Sequence, residues 1–537
     1  MYEKLTAKAI YERLKTKRES FLRRARMASA VTIPALVPPD GWTGTNDFND
    51  PEQSLGARGI NHLSSKLLLT LLPPSAPFFR LVPDAIAREQ MGGEDEESRA
   101  LRAEVEKKLA EMEQEVQREV EVQSLRVGGS EILKHLPVAG NVCMHLPEEG
   151  GLDMFPIDSY VVKRDPSGNL LCLVIREVID KEVLEEEAKA IRDAYLGSDV
   201  SSETDYTSDE NNCELYTKVI RDGKKFKVHQ ELMGMVVPGT EGDYIEDDLP
   251  YHPLRWTKVA GEDYGRGLVE DYYSDLLALE KLSRAMVNGS LAMARLVFLV
   301  NPNGTTDPHD LAEAENGDFA YGSSEEVTTL QANKFGDFRV AMEQAGVITK
   351  RLEDAFLLNR SATRQAERVT AEEIRLVAAD LQSALSGVYS VLAQEFQLPL
   401  VRRLMSRLQK KGAIPKFSKQ LKDHIRPAIV TGVEALGRGQ ELERVRAIFG
   451  VMQQIIGPEQ VAQVTNMGQL VDFLFSSGGV RIEGLIKSEE QLAQEQQQAQ
   501  QMQMMQEALS KGVGPAVNAV SAATQQDGQA APPPEGG

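Results

Sequence analysis

Between Thr370 and Lys411, apolar residues recur at every third or fourth position, and Ile374, Val377, Leu381, Leu385, Val388, Leu392 and Phe396 fall on one side of a helix. Thr370 and Glu373 form a capping box: the threonine oxygen accepts from a backbone N–H and the glutamate reaches back, so the helix begins there. At about 1.5 Å per residue, roughly 42 residues span about 63 Å, more than the width of an ordinary compact domain. Pro399 removes one ladder hydrogen bond and is expected to kink the rod. Just before the cap, Arg360, Arg364 and Arg368 stand four residues apart, a basic cluster in an acidic chain. So long an element, fed by an arginine loop, points to a component of a large assembly rather than to an enzyme with an enclosed pocket.

The 537 residues exceed what one core holds, so two to four domains are expected. An apolar share of 42% and a charged share of 26% are ordinary for a folded soluble protein. The net charge of −21 argues against a tight nucleic-acid binder, which needs a basic footprint to release counterions, but not against a protein that DNA slides past. Cys143, Cys172 and Cys213 lack paired spacing, which indicates neither a disulfide framework nor a zinc site and fits a reducing compartment. The first residues, MYEKLTAKAIYERLKTKRE, are charged throughout. The most apolar runs, Leu67 to Leu72 and Leu291 to Val300, fall well short of the roughly 20 residues that a bilayer span needs. The expectation is synthesis in the cytosol without membrane insertion.

Taken in order, Ile10, Leu14, Phe21 and Leu22 mark an amphipathic first helix, followed by a Pro- and Gly-rich connection from Pro34 to Pro51. Gly56 to Leu72 reads as a second helix closed by Pro73 and Pro74. A third runs from Leu101 to about Leu125, with Val105, Leu109, Met112, Val116 and Val120 on one face. From Val138 the period changes to two. Tyr160 to Arg164 and Leu170 to Arg176 flank a turn at Asp165–Asn169, and a second hairpin folds around Asp222-Gly223, a primed turn with both central residues at positive φ. The acidic stretch from Asp180 to Asp209 holds a short helix. Gly267 to Val300 and Asn333 to Leu358 are two helical patterns with spacing near 3.5, expected to form an antiparallel pair packed on neighbours along its whole length, with a compact tip between. Further helical patterns and a Gln/Met-rich helix candidate precede an Ala/Pro/Gly tail. The sum is an α+β fold, mainly α.

No nucleotide, zincin or nucleophile-elbow motif is present. Cys143 and His145 share one strand face and could touch a metal, yet no second pair accompanies them, so packing is the simpler role. His135 reads as a helix residue rather than a base. Gly265-Arg266-Gly267 lacks the third glycine of a phosphate loop and reads as a helix-entry turn. No catalytic residue, metal or cofactor is expected. Arg360, Arg364 and Arg368 either face a passing polyanion or pair with Glu367, Glu372 or a neighbouring subunit.

The segment PLRWTKVAGEDYGRGLVEDYYSDLLALEKL, Pro253 to Leu282, resembles the hallmark of the portal proteins, or head-tail connectors, of short-tailed bacteriophages. GARGINHLSSKLLLTLL, NRSATRQAERVTAEEIR and QLPLVRRLMSRL resemble the same family, in order, from about Tyr11 to Gln440. The resemblance implies a portal fold and a homo-dodecameric ring at one capsid vertex, through which double-stranded DNA is packaged and ejected without sequence readout. Residues 1–265 would form a wing, 266–300 a first stem helix, 301–331 a clip and 332–358 a second stem helix. Residues 359–369 would be a tunnel loop presenting Arg360, Arg364 and Arg368 to DNA. Residues 370–415 would be the long helix kinked at Pro399, 416–490 a crown, and 491–537 a Gln/Met-rich helix and disordered tail. Gly261, Glu262, Tyr264, Gly265, Arg266 and Gly267 would set the angle between wing and stem and so govern assembly. Asn301, Pro302, Asp307, Gly317, Asp318 and Phe319 would dock the terminase large subunit and later the tail adaptor or nozzle. Major capsid, scaffolding and internal core proteins complete the implied partners, in a virion assembled in the host cytoplasm. Such a protein is not an enzyme, since motor chemistry belongs to the terminase. The alternative is a scaffolding or adaptor protein of virion assembly that encloses no channel, and a nuclease using clustered carboxylates is a distant third.

Overall fold

Within residues 1–438, helical spacing on either side of a strictly alternating middle builds one interlocked unit. The computed structural model describes residues 2–431 except 43, 45–46, 75–77, 83–95, 181, 198–211, 295–296, 320, 331–334, 359–370, 386 and 415–427, and beyond them 448–452, 454–455 and 457. Residues 1–438 form one unit, which is the subject below, and 439–537 another. The capping threonine Thr370, the arginines Arg360, Arg364 and Arg368, the Ser/Asp-rich loop and the Gln/Met-rich helix candidate lie outside the described residues, and of the helical patterns from Leu436 to Ile486 only 448–452 and 454–455, both helical, and Gly457 are described.

Helix α1 (Ala7–Ala30) starts at Thr6, whose hydroxyl accepts from the N–H of Ala9, and α2 (Leu55–Leu71) stops two residues before Pro73. After strand β1 (Phe79–Val82) the expected third helix is α3 (Glu96–Val122), and a further helix, α4 (Leu125–Ala139), follows it where Ser124 takes a left-handed φ of 52°. Strands β2 (Asn141–His145), β3 (Asp153–Pro156), β4 (Tyr160–Arg164) and β5 (Leu170–Asp180) follow, then helix α5 (Glu186–Gly197). Strands β6 (Asn212–Asp222), β7 (Lys225–Leu232), β8 (Met235–Val236), β9 (Gly242–Ile245) and β10 (Tyr251–Arg255) complete the β region.

The main sheet is antiparallel in the order β4-β5-β6-β7-β8, with β9 also on β7, and a second sheet has the order β10-β2-β3. Both faces of β4 and β5 are buried, which strict alternation makes possible. Val161, Cys172 and Val174 pack under Ile10, Tyr11 and Leu14, whereas Tyr160, Val162, Leu173 and Ile175 meet Leu22 and Ala25 from the other end of α1. The hairpin at Asp165–Asn169 forms as expected. The second hairpin differs: Asp222 pairs with Lys225, so the loop is Gly223-Lys224, and only Gly223 has positive φ (61°). That is the requirement of a type II′ turn, with glycine at the first central position, rather than of type I′.

Helix α6 (Leu268–Ala294) ends earlier than expected. Val297–Val300 is strand β11, which pairs across the short helix α7 (Pro308–Glu313) with β12 (Val327–Leu330), so the tip begins inside the stretch assigned to the first stem helix. Helix α8 (Phe335–Ala355) returns, and the pair meets through Leu276, Leu279, Ala345, Leu352 and Phe356. Farther out Val287, Leu291, Val340 and Met342 are exposed.

The long rod is two arms. In helix α9 (Ala371–Leu385) the segment Leu376–Leu385 is inclined at 109° to the helical stretch Gly387–Lys411, so the chain changes direction between Leu385 and Gly387 and not at Pro399. The second arm comprises α10 (Gly387–Leu392), a π turn (Ala393–Gln397) and α11 (Leu398–Lys411). Pro399 sits in the first turn of α11, where a missing N–H costs least, and the N–H of Leu398 reaches five residues back to Ala393. The apolar face is buried through the bend by Leu381, Leu392 and Phe396, against Leu67, Ile132, Leu136 and Trp256. Spacing reports which face points inward and is silent about a change of axis. Strand β13 (Ala428–Thr431), in the stretch assigned to the crown, pairs with β1. No single helix among the described residues is long and apolar enough to cross a membrane.

Burial pushes the imidazoles of His135, His145 and His252 down from their usual 6.5 to about 4. The unfolded chain takes up these protons near pH 6.5 and the folded chain only near 4, so stability is greatest above 6.5 and is lost as pH falls through that window. Urea midpoints should therefore drop from pH 7.5 to pH 5, less steeply in His252→Gln; a flat profile would contradict this.

Candidate functional site

The turn from Gly261 to Gly267 connects the β region to α6, and it is held by backbone packed on backbone. Helix α4 ends with Gly140 at a φ of 72°, its N–H donating to Leu136, and the chain reverses into β2 against residues 265–267. A Cβ on Gly265 would stand 2.6 Å from the carbonyl oxygen of Thr257, and one on Gly267 would stand 2.7 Å from that of Pro137. Any side chain there must push a main chain aside. The Asn141 amide closes the joint: its Oδ1 accepts from Gly265 N at 2.7 Å, and its Nδ2 donates to Gly265 O at 2.8 Å.

Tyr264, 2% exposed, accepts from Val162 N at 3.0 Å and so pins the turn to β4. Asp263 accepts from Lys163 Nζ at 2.9 Å and Arg164 N at 2.8 Å. The Arg164 guanidinium, its pKa lowered by burial, donates to the carbonyls of Asp263, Gly168 and Pro253. Arg266 joins Glu262 at 2.8 Å on the surface, while Glu270 forms an ion pair with Arg24 at 3.1 Å. Glu262, Arg266, Lys17 and Arg24 rim a hollow of about 370 Å³. Of the expected turn, Gly265 and Gly267 act through close approach, Glu262 and Arg266 through an ion pair and Tyr264 through its anchor, whereas Gly261 has a φ of 81° and nothing within 4 Å of where a Cβ would stand.

The second arm of the bent helix is tied to the same region by buried charge that the sequence reading missed. Arg255, next to the joint, donates its N–H to Glu395 Oε2 at 3.0 Å and Nε to Oε1 at 3.1 Å, holding β10 to the π turn. Arg403, 1% exposed, reaches the carboxylates of Asp248 and, at 2.8 Å, Glu148. Arg407, fully buried, donates to Gly150 O at 3.3 Å. A motif with three arginines in QLPLVRRLMSRL is the available signal, but charge alone reads as exposed until the fold shows carboxylates waiting inside.

At the tip, most of the expected docking residues build turns. Asn301 N donates to Glu326 O, Asp307 caps α7 through His309 N at 2.8 Å, Asp318 accepts from Glu315 N, and Gly317 takes a φ of 109°. Pro302 is exposed in the turn that follows β11. Phe319 is different, since it stands 101% exposed beside Tyr321 at 89%. The keystone is Glu326, absent from the expected set: its Oε2 accepts from Thr305 N, Thr306 N and the Thr306 hydroxyl at 2.9, 3.0 and 2.7 Å, and the Thr306 hydroxyl bond leads in holding its carboxyl below the usual range.

Chemically the arrangement orients rather than reacts. Burial drives the Cys143 thiol and the Tyr264 phenol upward, away from nucleophilic forms, and His145 stacks on Tyr251 at 4.5 Å. Among the described residues no group of three or more His, Cys, Asp or Glu is placed to hold a metal.

A structural turn fed by packed helices, with a solvent-exposed tip, is the design of a connector. The profile of the family described as "Bacteriophage head to tail connecting protein" matches residues 4–483, and the chain belongs to that family, the portal proteins of podophages. It is 37% identical to the portal protein of Escherichia phage T7 over 91% of this chain and 89% of the relative. It is 36% identical to that of Enterobacteria phage T3, over 90% and 89%, and 30% identical to that of Pseudomonas phage phiKMV, over 91% and 93%.

Gly265→Val should prevent folding to the native joint, and Asn141→Ala should cost about 2–4 kcal/mol by leaving two buried backbone groups unpaired. Gly261→Ala, with nothing within 4 Å but a φ of 81°, should cost only about 1 kcal/mol. Urea denaturation of the three variants checks the order.

Proposed function

We propose that twelve copies of the chain close side by side into a ring at a single capsid vertex, and that double-stranded DNA enters and leaves the head through its channel. The observation that carries this reading is the apolar surface on the outer halves of α6 and α8: Leu291 is 62% exposed and Met342 66%, with Val287 and Val340 beside them. One chain cannot cover these residues, and a neighbouring copy of the same pair can. A net charge of −21 per chain supports the conduit, because a negative lumen gives phosphates no well in which to stick. The glycine joint holds α6 at one angle to the β region, as a closed ring demands of every copy.

In this reading residues 1–265 are the wing, α6 and α8 the stem, the β11–β12 tip the clip, and residues 416–490 the crown. Phe319 and Tyr321 dock the terminase large subunit during filling and the tail adaptor afterwards, with capsid, scaffolding and internal core proteins as the other neighbours. Arg360, Arg364 and Arg368 touch DNA transiently at the constriction. The protein is then a virion component of the head-tail junction, made in the host cytoplasm.

Light scattering and negative-stain imaging of the purified chain should give a holed ring. Leu291→Lys with Met342→Lys should give folded monomers; unaltered rings would refute the stem interface. Replacing Arg360, Arg364 and Arg368 by Gln should leave rings intact while packaged DNA is retained less well. In Phe319→Ala, rings should form and bind the terminase less tightly in pull-down.

A further inference from the structure

A second cavity, of about 380 Å³, lies apart from the joint and the clip, between α1, the proline-rich segment that follows it, α4 and β3. Three polar atoms on its lining residues are buried without any hydrogen-bond partner in the protein: Arg26 Nε, His135 Nδ1 and Asp158 Oδ1. Buried polar atoms are almost always paired, so three orphans around one cavity call for a ligand that pairs them. His135 is 4% exposed, and burial keeps it neutral, so Nδ1 can accept a hydrogen bond.

The charges around the cavity are unbalanced. Arg26 is matched by Asp40 at 3.1 Å, whereas Glu131 and Asp158 make no ion pair with the described residues. The main chain of Asp158 is held, since its carbonyl accepts from Arg18 Nη1 at 2.6 Å and Tyr11 OH at 3.0 Å. The remaining wall is apolar, formed by Leu36, Pro39 and Met154, together with Trp42, whose ring stacks on that of Phe48 at 5.3 Å.

We propose that this cavity binds the side chain of an arginine presented by an extended segment of a partner protein. A guanidinium carries five N–H donors in a rigid fork, enough for Asp158, Glu131 and His135 together. Its methylene stem suits the apolar wall, and its flat head suits Trp42. The orphan donor Arg26 Nε takes a backbone carbonyl of the arriving segment.

The chain has two tryptophans, and Trp256 is 1% exposed, so a ligand-dependent emission change reports Trp42. The full-length protein is titrated with the blocked peptide Ac-Gly-Arg-Gly-NH2, and with Ac-Gly-Gln-Gly-NH2 as the neutral control. A saturable change is expected for the arginine peptide, at least about tenfold weaker for the glutamine peptide and in Asp158→Asn, and weakened also in Glu131→Gln, which replaces an exposed helix residue and secures the comparison if Asp158→Asn does not fold. In Trp42→Phe the emission change disappears while calorimetry still shows binding. Absence of saturable binding by both methods, equal affinity for the two peptides, or unchanged affinity in the carboxylate variants would overturn the proposal.

Discussion

Three glycines packed backbone to backbone set the geometry of this protein. Gly140 turns α4 into β2, and Gly265 and Gly267 turn the chain from β10 into α6, at distances where no Cβ fits. The direction of α6 is therefore fixed by covalent geometry and carbonyl contacts, which yield far less than side-chain packing does. The amide of Asn141 then pairs both polar groups of Gly265, so the close approach leaves neither unsatisfied.

Around that joint the chain uses buried arginine where a smaller protein would use leucine. Arg164, Arg255, Arg403 and Arg407 each reach across from one element to the carbonyls or carboxylates of another. Desolvating such groups offsets much of their attraction, and replacing a whole network with apolar residues is often neutral. Removing a single partner is not, because it strands a charge. The arginines of α11 accordingly specify where the second arm of the bent helix lies more than they add to stability.

The periphery follows the opposite rule. The outer halves of α6 and α8 and the tip around Phe319 leave large apolar groups in solvent, while Glu326 gathers Thr305 and Thr306 into a tight strap that holds the tip's shape. Apolar side chains left in solvent on regular elements are available to a partner surface, which accords with the proposed stem interface.

Much of this was written in local pattern. Helix faces such as Val105 to Val120, the hairpin at Asp165–Asn169, the turn from Gly261 to Gly267 and the family itself are legible because periodicity, turn chemistry and motif order are properties of neighbouring residues. What only the tertiary structure decided depends on contacts far apart in the chain. The 109° change of direction between Leu385 and Gly387 keeps the same face inward, so periodicity could not reveal it. Val297 to Val300 continues a helical pattern but pairs with Val327 to Leu330 instead, since cross-strand hydrogen bonds outweigh a weak local preference. Arg403 and Arg407 read as surface charge until Asp248, Glu148 and Gly150 are brought to meet them, because whether a charge can be buried is settled by its partner and not by its own place in the sequence.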